Sequence, residues 1–340
     1  MYSFNNDYSE GAYPGILEKL METNLIQTVG YGLDEYCKEA EKIILKHIEK
    51  EDSHVHFISG GTQANLLAIS SFIKPYEAVI TVTTGHINVH ETGSIEGTGH
   101  KILTKYASDG KVTPEIIDAL MEENTTEHMV KPALIYISDS TEVGTIYTKS
   151  ELEELRHSAD KYGLILFMDG ARLGAALTAD ANDLTMADIA ALTDAFYIGG
   201  TKNGALFGEA LVINNERLNE DFRYMEKQKG AMLAKGRMLG IQFMELFKDN
   251  VFYDLAAHAN KCAAIIKDAL LDKDIEFKYE PESNQLFPIF TYKDIDKLSK
   301  DYLFSIDSKV DEEHACVRIV TSWATKESAV EEFVKAINEL

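Results

Sequence analysis

The organisation of this 340-residue chain follows from a glycine-rich segment, Phe196-Tyr-Ile-Gly-Gly-Thr-Lys-Asn-Gly-Ala-Leu-Phe-Gly208. A short apolar run, typical of a buried strand, ends here among glycines that surround one lysine, Lys202. Small neighbours leave space beside that lysine, so a large flat ligand could closely approach its amine. Lys202 is therefore either a solvated loop lysine or a group that bonds covalently to a carbonyl ligand. Three further segments, at 59–65, 86–91 and 168–174, favour the covalent interpretation.

Composition and charge restrict the class of protein. The hydrophobic content of 45% predicts a sizeable core, and the length suggests two structural units. The formal charge of -23 repels phosphate backbones and anionic lipids, which argues against nucleic acid and membrane partners. The three cysteines, Cys37, Cys262 and Cys316, are far apart, as in a reduced cytoplasmic protein. The N-terminal residues lack a signal-peptide pattern, and no apolar run approaches the ~20 residues of a membrane span.

Strand and helix patterns alternate along most of the chain. Apolar runs predict strands at 55–58, 78–83, 101–106, 133–138, 164–168, 195–198 and 208–213. Helical spacing predicts helices at 62–72, 113–122, 151–161 and 183–192, the third of them with a capping box of Ser150 and Glu153. This alternation predicts an α/β fold with a mostly parallel sheet covered on both faces. Such sheets bind ligands at the carboxyl ends of their strands.

The two ends of the chain do not show this alternation of strands and helices. Residues 1–35 form an irregular arm with a helix near 14–24, and a second helix ends near 47. Long helices are predicted at 215–249, with a break, and at 251–271. Strands near 276–279, 287–292 and 315–320 and a helix from 326 onward predict a small α+β unit. We therefore predict a large domain at 1–250, which includes the arm, and a small domain at 251–340.

Two segments have the features of a ligand site. At 57–65 a strand ends before Gly60 and Gly61 and a helix begins near Thr62, which directs free N–H groups at one spot. This geometry binds phosphate, although a turn without any ligand has the same pattern. Asp169 follows a buried strand, where a carboxylate needs a cation or hydrogen-bond donor. A protonated pyridine nitrogen would satisfy Asp169, and Arg172 could bind a carboxylate or phosphate; a capping aspartate and a surface arginine are the alternatives.

The third segment contains His86 and His90. Their separation of four residues suits a metal on a helix, but no third ligand is evident, so no metal is predicted. An imidazole stacked on a cofactor ring is a better use of His86, with a packed or capping histidine as the alternative. A phosphate turn, a histidine, an aspartate and a lysine follow one another as in pyridoxal 5'-phosphate enzymes of the aspartate-aminotransferase fold. We therefore predict that Lys202 carries this cofactor as a Schiff base.

The chain resembles the threonine aldolase branch of the β-eliminating lyase family over nearly its whole length. The motifs that carry the resemblance are Met168-Asp-Gly-Ala-Arg172, Gly85-His-Ile-Asn-Val-His-Glu91, Tyr31-Gly-Leu-Asp34 and Val317-Arg-Ile-Val-Thr321. The resemblance implies the pyridoxal-phosphate fold of type I and the cleavage of 3-hydroxy amino acids, threonine or allo-threonine, into glycine and an aldehyde. It also implies a cytoplasmic homodimer or homotetramer.

The resemblance implies a role for individual residues as well. In the catalytic set, Lys202 binds the cofactor, Asp169 pairs with its pyridine nitrogen and His86 stacks on its ring. The cofactor contacts comprise these three together with Gly60, Gly61, Thr62, Arg172 and Thr201. The substrate contacts are Asn6, Tyr31, His90, Thr141, Arg172 and Arg318. Of these Tyr31, together with Arg237, is expected to enter the site of a neighbouring subunit.

Two departures from the family pattern concern the substrate. The chain has Asn5-Asn-Asp-Tyr8 where many aldolases have Arg-Ser-Asp-Thr, which leaves Asn6 in place of the serine. It has Asp139-Ser-Thr-Glu142 near the family's Asn-Thr-His, and we place Thr141 at the position of that histidine. The base for the substrate hydroxyl is then His86, His90 or a water near Thr141. A β-eliminating lyase or aminotransferase of the same fold is the alternative, and a non-enzymatic phosphate or nucleotide binder is a more distant one.

Overall fold

Strands and helices alternate in the computed structural model, which describes residues 1–340. The strands are, in chain order, β1 (Tyr2–Ser3), β2 (His54–Ile58), β3 (Glu77–Val82), β4 (Lys101–Lys105), β5 (Lys131–Ser138), β6 (Ile165–Asp169), β7 (Ala195–Gly199), β8 (Glu209–Ile213), β9 (Gln285–Leu286), β10 (Ile289–Thr291), β11 (Tyr302–Leu303), β12 (Ser305–Lys309) and β13 (His314–Val320). The helices are α1 (Pro14–Thr23), α2 (Glu35–His47), α3 (Gly61–Phe72), α4 (His86–Val89), α5 (Pro114–Glu123), α6 (Lys149–Tyr162), α7 (Leu173–Leu177), α8 (Met186–Leu192), α9 (Glu216–Asn219), α10 (Phe222–Gln228), α11 (Arg237–Leu246), α12 (Val251–Leu271), α13 (Tyr292–Leu298) and α14 (Glu327–Asn338). A short 3-10 helix spans Glu96–Thr98.

A seven-stranded sheet forms the centre of the fold, in the order β2-β8-β7-β6-β5-β3-β4. Strand β8 runs antiparallel to both of its neighbours, and the remaining pairs are parallel. Because β8 is antiparallel to both β2 and β7, β2 points the same way as β3, β5, β6 and β7. The carboxyl ends of these five strands therefore open at one edge of the sheet, where α/β proteins bind their ligands. The predicted α/β fold with a mostly parallel sheet is confirmed.

Both faces of the central sheet are covered by apolar side chains. Successive residues of one strand point to opposite faces, so Met168 packs in one hydrophobic cluster and Phe167 in the other. Strands β3, β7 and β8 are buried along their entire length. This burial explains why these strands appear in the sequence as continuous apolar runs without alternation.

The C-terminal part forms a separate antiparallel sheet in which β13 pairs with β9, β10 and β12. A third hydrophobic cluster joins this sheet to α12 and α14, and it contains Phe4 from the N-terminal arm. Strand β1 pairs in parallel with β11, so that Tyr2 lies opposite Tyr302. The first residues of the chain thus pack on its C-terminal part. The domain limits of 1–250 and 251–340 stay a prediction.

Three local predictions differ from the structure. The helix expected over 215–249 is divided into α9, α10 and α11, since Asp221 and Gly230 have positive φ angles of 57° and 73°. The strand expected at 276–279 is a single bridge between Phe277 and Pro288. Helix α6 begins two residues earlier than expected, with its capping box at Thr148 and Glu151. The Glu151 carboxylate is fixed there because it accepts hydrogen bonds from Thr148 N at 2.8 Å and Lys111 Nζ at 2.9 Å.

Candidate active site

Asp169 lies at the carboxyl end of β6, and its side chain is buried with four hydrogen-bond donors around it. Oδ2 accepts from Tyr136 Oη at 2.5 Å and Asn65 Nδ2 at 3.0 Å, and Oδ1 accepts from the Tyr197 hydroxyl and from Ala171 N at 3.0 Å. Burial would raise the pKa of Asp169, but the charge of His86 and these hydrogen bonds outweigh it and lower the pKa. The structure therefore holds a permanent negative charge at this strand end.

His86 begins α4, directly after β3, and is linked to Asp169 through two other side chains. Its Nδ1 hydrogen bonds to Glu91 Oε1 at 2.8 Å, and the same oxygen accepts from Asn65 Nδ2 at 2.8 Å. Burial would lower the pKa of His86, but Glu91, Glu142 and Asp169 raise it above its usual value. The protonated form of His86 is thus favoured relative to a free histidine, on a ring whose orientation Glu91 fixes.

Lys202 follows β7 in a tight glycine loop. The N–H groups of Gly200 and Thr201 both donate to Gly208 O at 3.1 Å, and a Cβ on Gly200 would meet that oxygen at 2.6 Å. Burial and the neighbouring charge of Arg172 lower the pKa of Lys202. A lysine with a lowered pKa is a better nucleophile at neutral pH, as a covalent cofactor link requires.

Thr201, a predicted cofactor contact, has its hydroxyl engaged within the same loop. Thr201 Oγ1 donates to Glu209 Oε1 at 2.8 Å and accepts from Gly208 N at 2.9 Å. Its hydroxyl therefore helps to hold the loop that presents Lys202, and its contact with the cofactor stays a prediction.

The predicted phosphate turn lies at the beginning of α3, beside the end of β2. Gly60 precedes the helix and no side chain caps it, so the first N–H groups of α3 have no acceptor within the protein. A Cβ on Gly61 would meet Tyr197 Oη at 2.9 Å, whereas the space beside Gly60 is open. Glycine is therefore required at 61 to bring the helix close to the tyrosine that binds Asp169. The open helix end suits an anionic group.

Arg172 is buried and forms a bidentate ion pair with Asp7 from the N-terminal arm. Its Nε and Nη2 donate to Asp7 Oδ2 and Oδ1 at 2.7 and 3.1 Å, and Asn284 Nδ2 donates to Asp7 Oδ2 at 3.1 Å. Sequence reasoning missed Asp7, which lies 165 residues from Arg172 in the chain. The structure thus commits two of the three guanidinium nitrogens of Arg172 to Asp7, and its predicted contacts with the substrate and cofactor stay predictions.

Arg318 in β13 approaches the cleft from the C-terminal part of the chain. Its Nε and Nη2 donate to Gln285 Oε1 at 3.1 and 2.5 Å, and Gln285 Nε2 donates to Thr141 O at 3.1 Å. Burial and the positive charge of Arg172 lower the pKa of Arg318. These two arginines therefore lie close enough to repel each other, which favours an anionic ligand between them.

Two of the predicted substrate contacts are turned toward their own loops. Thr141 is buried, and its hydroxyl hydrogen bonds to Thr145 Oγ1 at 2.7 Å and accepts from Thr145 N at 3.2 Å. Its predicted contact with the substrate stays a prediction. Asn6 Oδ1 accepts from Tyr8 N and Ser9 Oγ, each at 3.0 Å, so this oxygen closes the turn of the arm.

Tyr31 and Arg237 lie on a surface formed by the N-terminal segment and α11. Tyr31 has a positive φ of 63° and its ring contacts Lys227 Nζ, 4.7 Å from the ring centroid. Arg237 donates to the carbonyl oxygens of Ile26 and Asn24 at 2.5 and 3.1 Å. Neither residue hydrogen bonds to Lys202 or Asp169, and their role in a neighbour's site stays a prediction.

The buried carboxyl group of Asp139 is expected to make the folding stability of the protein depend on pH. Burial raises its pKa from 3.8 to about 7, which a hydrogen bond from Tyr147 N at 3.4 Å only partly offsets. Because the folded state then holds a proton that the unfolded state has lost, stability falls by about 1.4 kcal/mol for each pH unit between about 4 and 7. Asp139→Asn should remove this slope. The free energy of unfolding of the variant, measured in urea, should therefore rise relative to that of the wild type between pH 4.5 and pH 8. A difference that is constant with pH would contradict the prediction, and Asp296→Asn, at an exposed aspartate, is the control.

The residues at this edge of the sheet fit pyridoxal 5'-phosphate. An open helix end suits the phosphate, a nucleophilic lysine suits the aldehyde carbon, and a permanent carboxylate suits the pyridine nitrogen. No group of three or more His, Cys, Asp or Glu side chains is arranged to hold a metal ion. None of the helices is both long and apolar enough to span a membrane.

Comparison with known proteins gives concordant results. The family model described as beta-eliminating lyase matches residues 14–291. A low-specificity L-threonine aldolase from a Pseudomonas species is 33% identical over 98% of this chain and 96% of its own length. A second, from Pseudomonas aeruginosa, is 31% identical over 84% of this chain and 83% of its own. A solved structure of a threonine aldolase from Leishmania major has a TM-score of 0.99 and 49% identity, and the match covers 100% of this chain and 99% of that one.

These matches agree with the geometry of the cleft, and they confirm the predicted family, cofactor and fold type. The enzyme is a lyase that uses pyridoxal 5'-phosphate. The chain therefore belongs to the β-eliminating lyase family.

Proposed function

We propose that this enzyme cleaves 3-hydroxy amino acids, threonine and allo-threonine among them, into glycine and an aldehyde. The supporting observation is that Lys202 and Asp169 lie at the carboxyl ends of the neighbouring parallel strands β7 and β6, in a chain 49% identical over its full length to a threonine aldolase. A nucleophilic amine and a fixed anion are thus placed at one edge of the sheet, and the charge of Arg172 acts on both Lys202 and Arg318. This is the set that a reaction at the α-carbon of an amino acid requires.

The cofactor, when bound, supplies an electron sink for the bond that breaks at the α-carbon. Lys202 Nζ would hold it, and the first N–H groups of α3, at Gly61 and Thr62, would bind its phosphate. The Asp169 carboxylate stabilises a proton on the pyridine nitrogen, because its own low pKa keeps it ionised. The His86 ring, oriented by Glu91, would stack on the cofactor ring.

The substrate carboxylate binds to Arg318 and to the remaining nitrogen of Arg172. Arg318 is held by Gln285 through Nε and Nη2, which leaves Nη1 without an acceptor in the protein. An anion that binds between two buried cations relieves their mutual repulsion and is therefore bound favourably. This anchor orients the Cα–Cβ bond with respect to the fixed cofactor ring.

The proposal is tested by product analysis with the purified enzyme and pyridoxal 5'-phosphate. Threonine and allo-threonine should give equal amounts of glycine and acetaldehyde, measured by amino-acid analysis and by an NADH-coupled aldehyde assay. Release of ammonia and a keto acid without an aldehyde would instead establish a β-eliminating activity, and a keto acid without ammonia or aldehyde would establish a transaminating one. A protein that binds the cofactor and converts none of these amino acids would also refute the proposal.

We further propose that two copies of the chain associate through the segment at 17–33. This segment exposes an unusual number of large apolar side chains, with Leu25 91%, Met21 78%, Val29 61% and Leu33 50% exposed. Contiguous exposed apolar residues of this kind mark protein interfaces. The same surface carries Tyr31 and Arg237, which would then reach the partner's site.

Substituting Leu25 by aspartate should weaken this association, because it places a charge at the centre of an apolar contact. Light scattering after gel filtration should show a shift toward the monomer, and activity should fall with it. Leu271→Asp is the matched control, since Leu271 is also exposed, at 52%, but lies at the end of α12. An unchanged molar mass for Leu25→Asp would contradict the proposed interface.

Action in the cytoplasm is also proposed. Its support is that Cys37, Cys262 and Cys316 are all free and buried. Reduced, unpaired cysteines are typical of that compartment.

A further inference from the structure

Glu142 follows β5 on the loop that enters the cleft, and its carboxylate has no hydrogen-bond or ion-pair partner in the protein. The other acidic side chains of the site are all engaged: Asp7 by Arg172, Glu91 by His86, Asp169 by Tyr136 and Glu209 by Thr201. The neighbouring Thr141 turns inward to Thr145 and is buried, whereas Glu142 is only half-buried. Both residues line a small pocket together with Thr84, Gly85 and Tyr136, but of the two only Glu142 has an uncommitted side chain there.

The topology brings Glu142 next to the two histidines. Strands β3 and β5 are parallel neighbours, with Val79 opposite Leu134 and Ile80 opposite Ile135. His86 and His90 lie on the segment after β3, and Glu142 lies on the segment after β5. Both segments leave the same edge of the sheet, so their side chains share one part of the cleft.

The effect of the Glu142 charge on neighbouring titratable groups also places Glu142 in this part of the cleft. Burial is the largest influence on the pKa of His86, His90, Arg172, Lys202 and Arg318, and the negative charge of Glu142 acts on all five toward a higher pKa. A charge that acts on the lysine, on both arginines and on both histidines is within electrostatic range of all five. The two arginines among them define the space in which the proposed substrate is held by its carboxylate.

Of the groups near this space, His86 is unsuited to accept a proton. Its Nδ1 is engaged by Glu91, and although burial would lower its pKa, Glu91, Glu142 and Asp169 raise it and so favour the protonated form. His90 has no side-chain hydrogen bond, and its ring centroid is 5.6 Å from that of His86. Glu142 and His90 are therefore the candidates for a base, and only Glu142 carries a negative charge among several cations.

We propose that the Glu142 carboxylate is the catalytic base that takes the proton of the substrate β-hydroxyl. The inference rests on the proposed aldol cleavage and names the group that performs one of its steps. The O–H proton moves to Glu142, and the O–H electron pair becomes the second bond of the aldehyde carbonyl. The Cα–Cβ bond breaks, and its electron pair remains with the α-carbon. A proton then arrives at the α-carbon to complete glycine, so one proton leaves and one returns.

The decisive variant is Glu142→Gln, which keeps the size of the side chain and removes its basicity. Two reactions of the enzyme loaded with pyridoxal 5'-phosphate are compared: threonine cleavage, and exchange of the glycine α-proton with D₂O followed by NMR. Glycine has no β-hydroxyl, so its exchange does not need the proposed base. We expect kcat for cleavage to fall by about 10²–10⁴-fold, with KM and glycine exchange within a few-fold of the wild type.

Controls separate this role from the others that Glu142 could have. Glu122→Gln changes an exposed glutamate in α5 in the same way and should leave both reactions unchanged. Unchanged visible absorbance of the bound cofactor would show that the Glu142→Gln site remains intact. A parallel loss of cleavage and exchange would mark Glu142 as structural and overturn the assignment.

Two other results would also overturn it. Full cleavage by Glu142→Gln would exclude Glu142 as the base. Loss of cleavage with retained exchange in His90→Asn, while Glu142→Gln stays active, would assign the base to His90. A wild-type enzyme that exchanges the glycine proton but releases no aldehyde would refute the proposed function itself, and the assignment with it.

Discussion

Lys202→Ala is expected to abolish the covalent attachment of pyridoxal 5'-phosphate and to reduce cleavage by about 10³-fold or more. Lys202 has a lowered pKa through burial and the charge of Arg172, and it is held by a loop that closes between Gly200 and Gly208. Its methylene chain and amine have no structural partner that alanine would leave unsatisfied. The substitution should therefore remove chemistry without removing the fold.

The measurement combines a visible spectrum with borohydride reduction and mass spectrometry. Reduction of the wild type should fix the mass of the cofactor to the peptide that contains Lys202, and the variant should show neither this mass nor the visible band. Lys229→Ala, at an exposed lysine, is the matched control and should behave as the wild type. A visible band that persists on Lys202→Ala through another lysine would disprove the assignment.

Two substitutions of Asp169 are expected to differ in their effect on folding stability, although both reduce catalysis. Asp169→Ala leaves the hydroxyls of Tyr136 and Tyr197, the Asn65 amide and Ala171 N without their acceptor. Each buried donor without an acceptor costs about 1–3 kcal/mol, so the free energy of unfolding should fall by several kcal/mol. Asp169→Asn retains the volume and part of the hydrogen bonding but loses the charge, and its kcat should fall by about 10²–10³-fold.

Urea unfolding and threonine cleavage, measured on the same preparations, test both expectations. The stability loss should be larger for alanine than for asparagine, while both variants should lose most of the activity. The control is again Asp296→Asn, at an exposed aspartate without hydrogen bonds. An Asp169→Asn enzyme with the wild-type rate would show that the charge has no role in the reaction.

The positions of the principal site residues were predictable because they follow apolar runs. The run at 164–168 predicted a buried strand, and Asp169 closes β6. The run at 195–198 predicted β7, and Lys202 follows it in the expected glycine loop. Parallel strands present their carboxyl ends at one edge, so a chemical group after each strand is brought to the same place.

The partners of these residues were not predictable in the same way. Tyr136 and Tyr197 lie inside apolar strands, where a tyrosine has the pattern of a core aromatic residue, yet both donate to Asp169. The only signal in the sequence was the hydroxyl that each tyrosine adds to a largely apolar run, because buried hydroxyls need hydrogen-bond partners. Asp7 gave no signal, because its partner Arg172 is remote in the chain.

Sequence by itself determined the order of strands and helices, the glycine turns and the family, because local periodicity reflects burial and turn geometry. Tertiary structure alone decided which way the side chains at the strand ends point. Thr141 turns to Thr145, Glu142 is left without a hydrogen-bond partner, and two of the nitrogens of Arg172 bind Asp7. These orientations depend on contacts with segments far away in the chain, and no local pattern of residues carries that information.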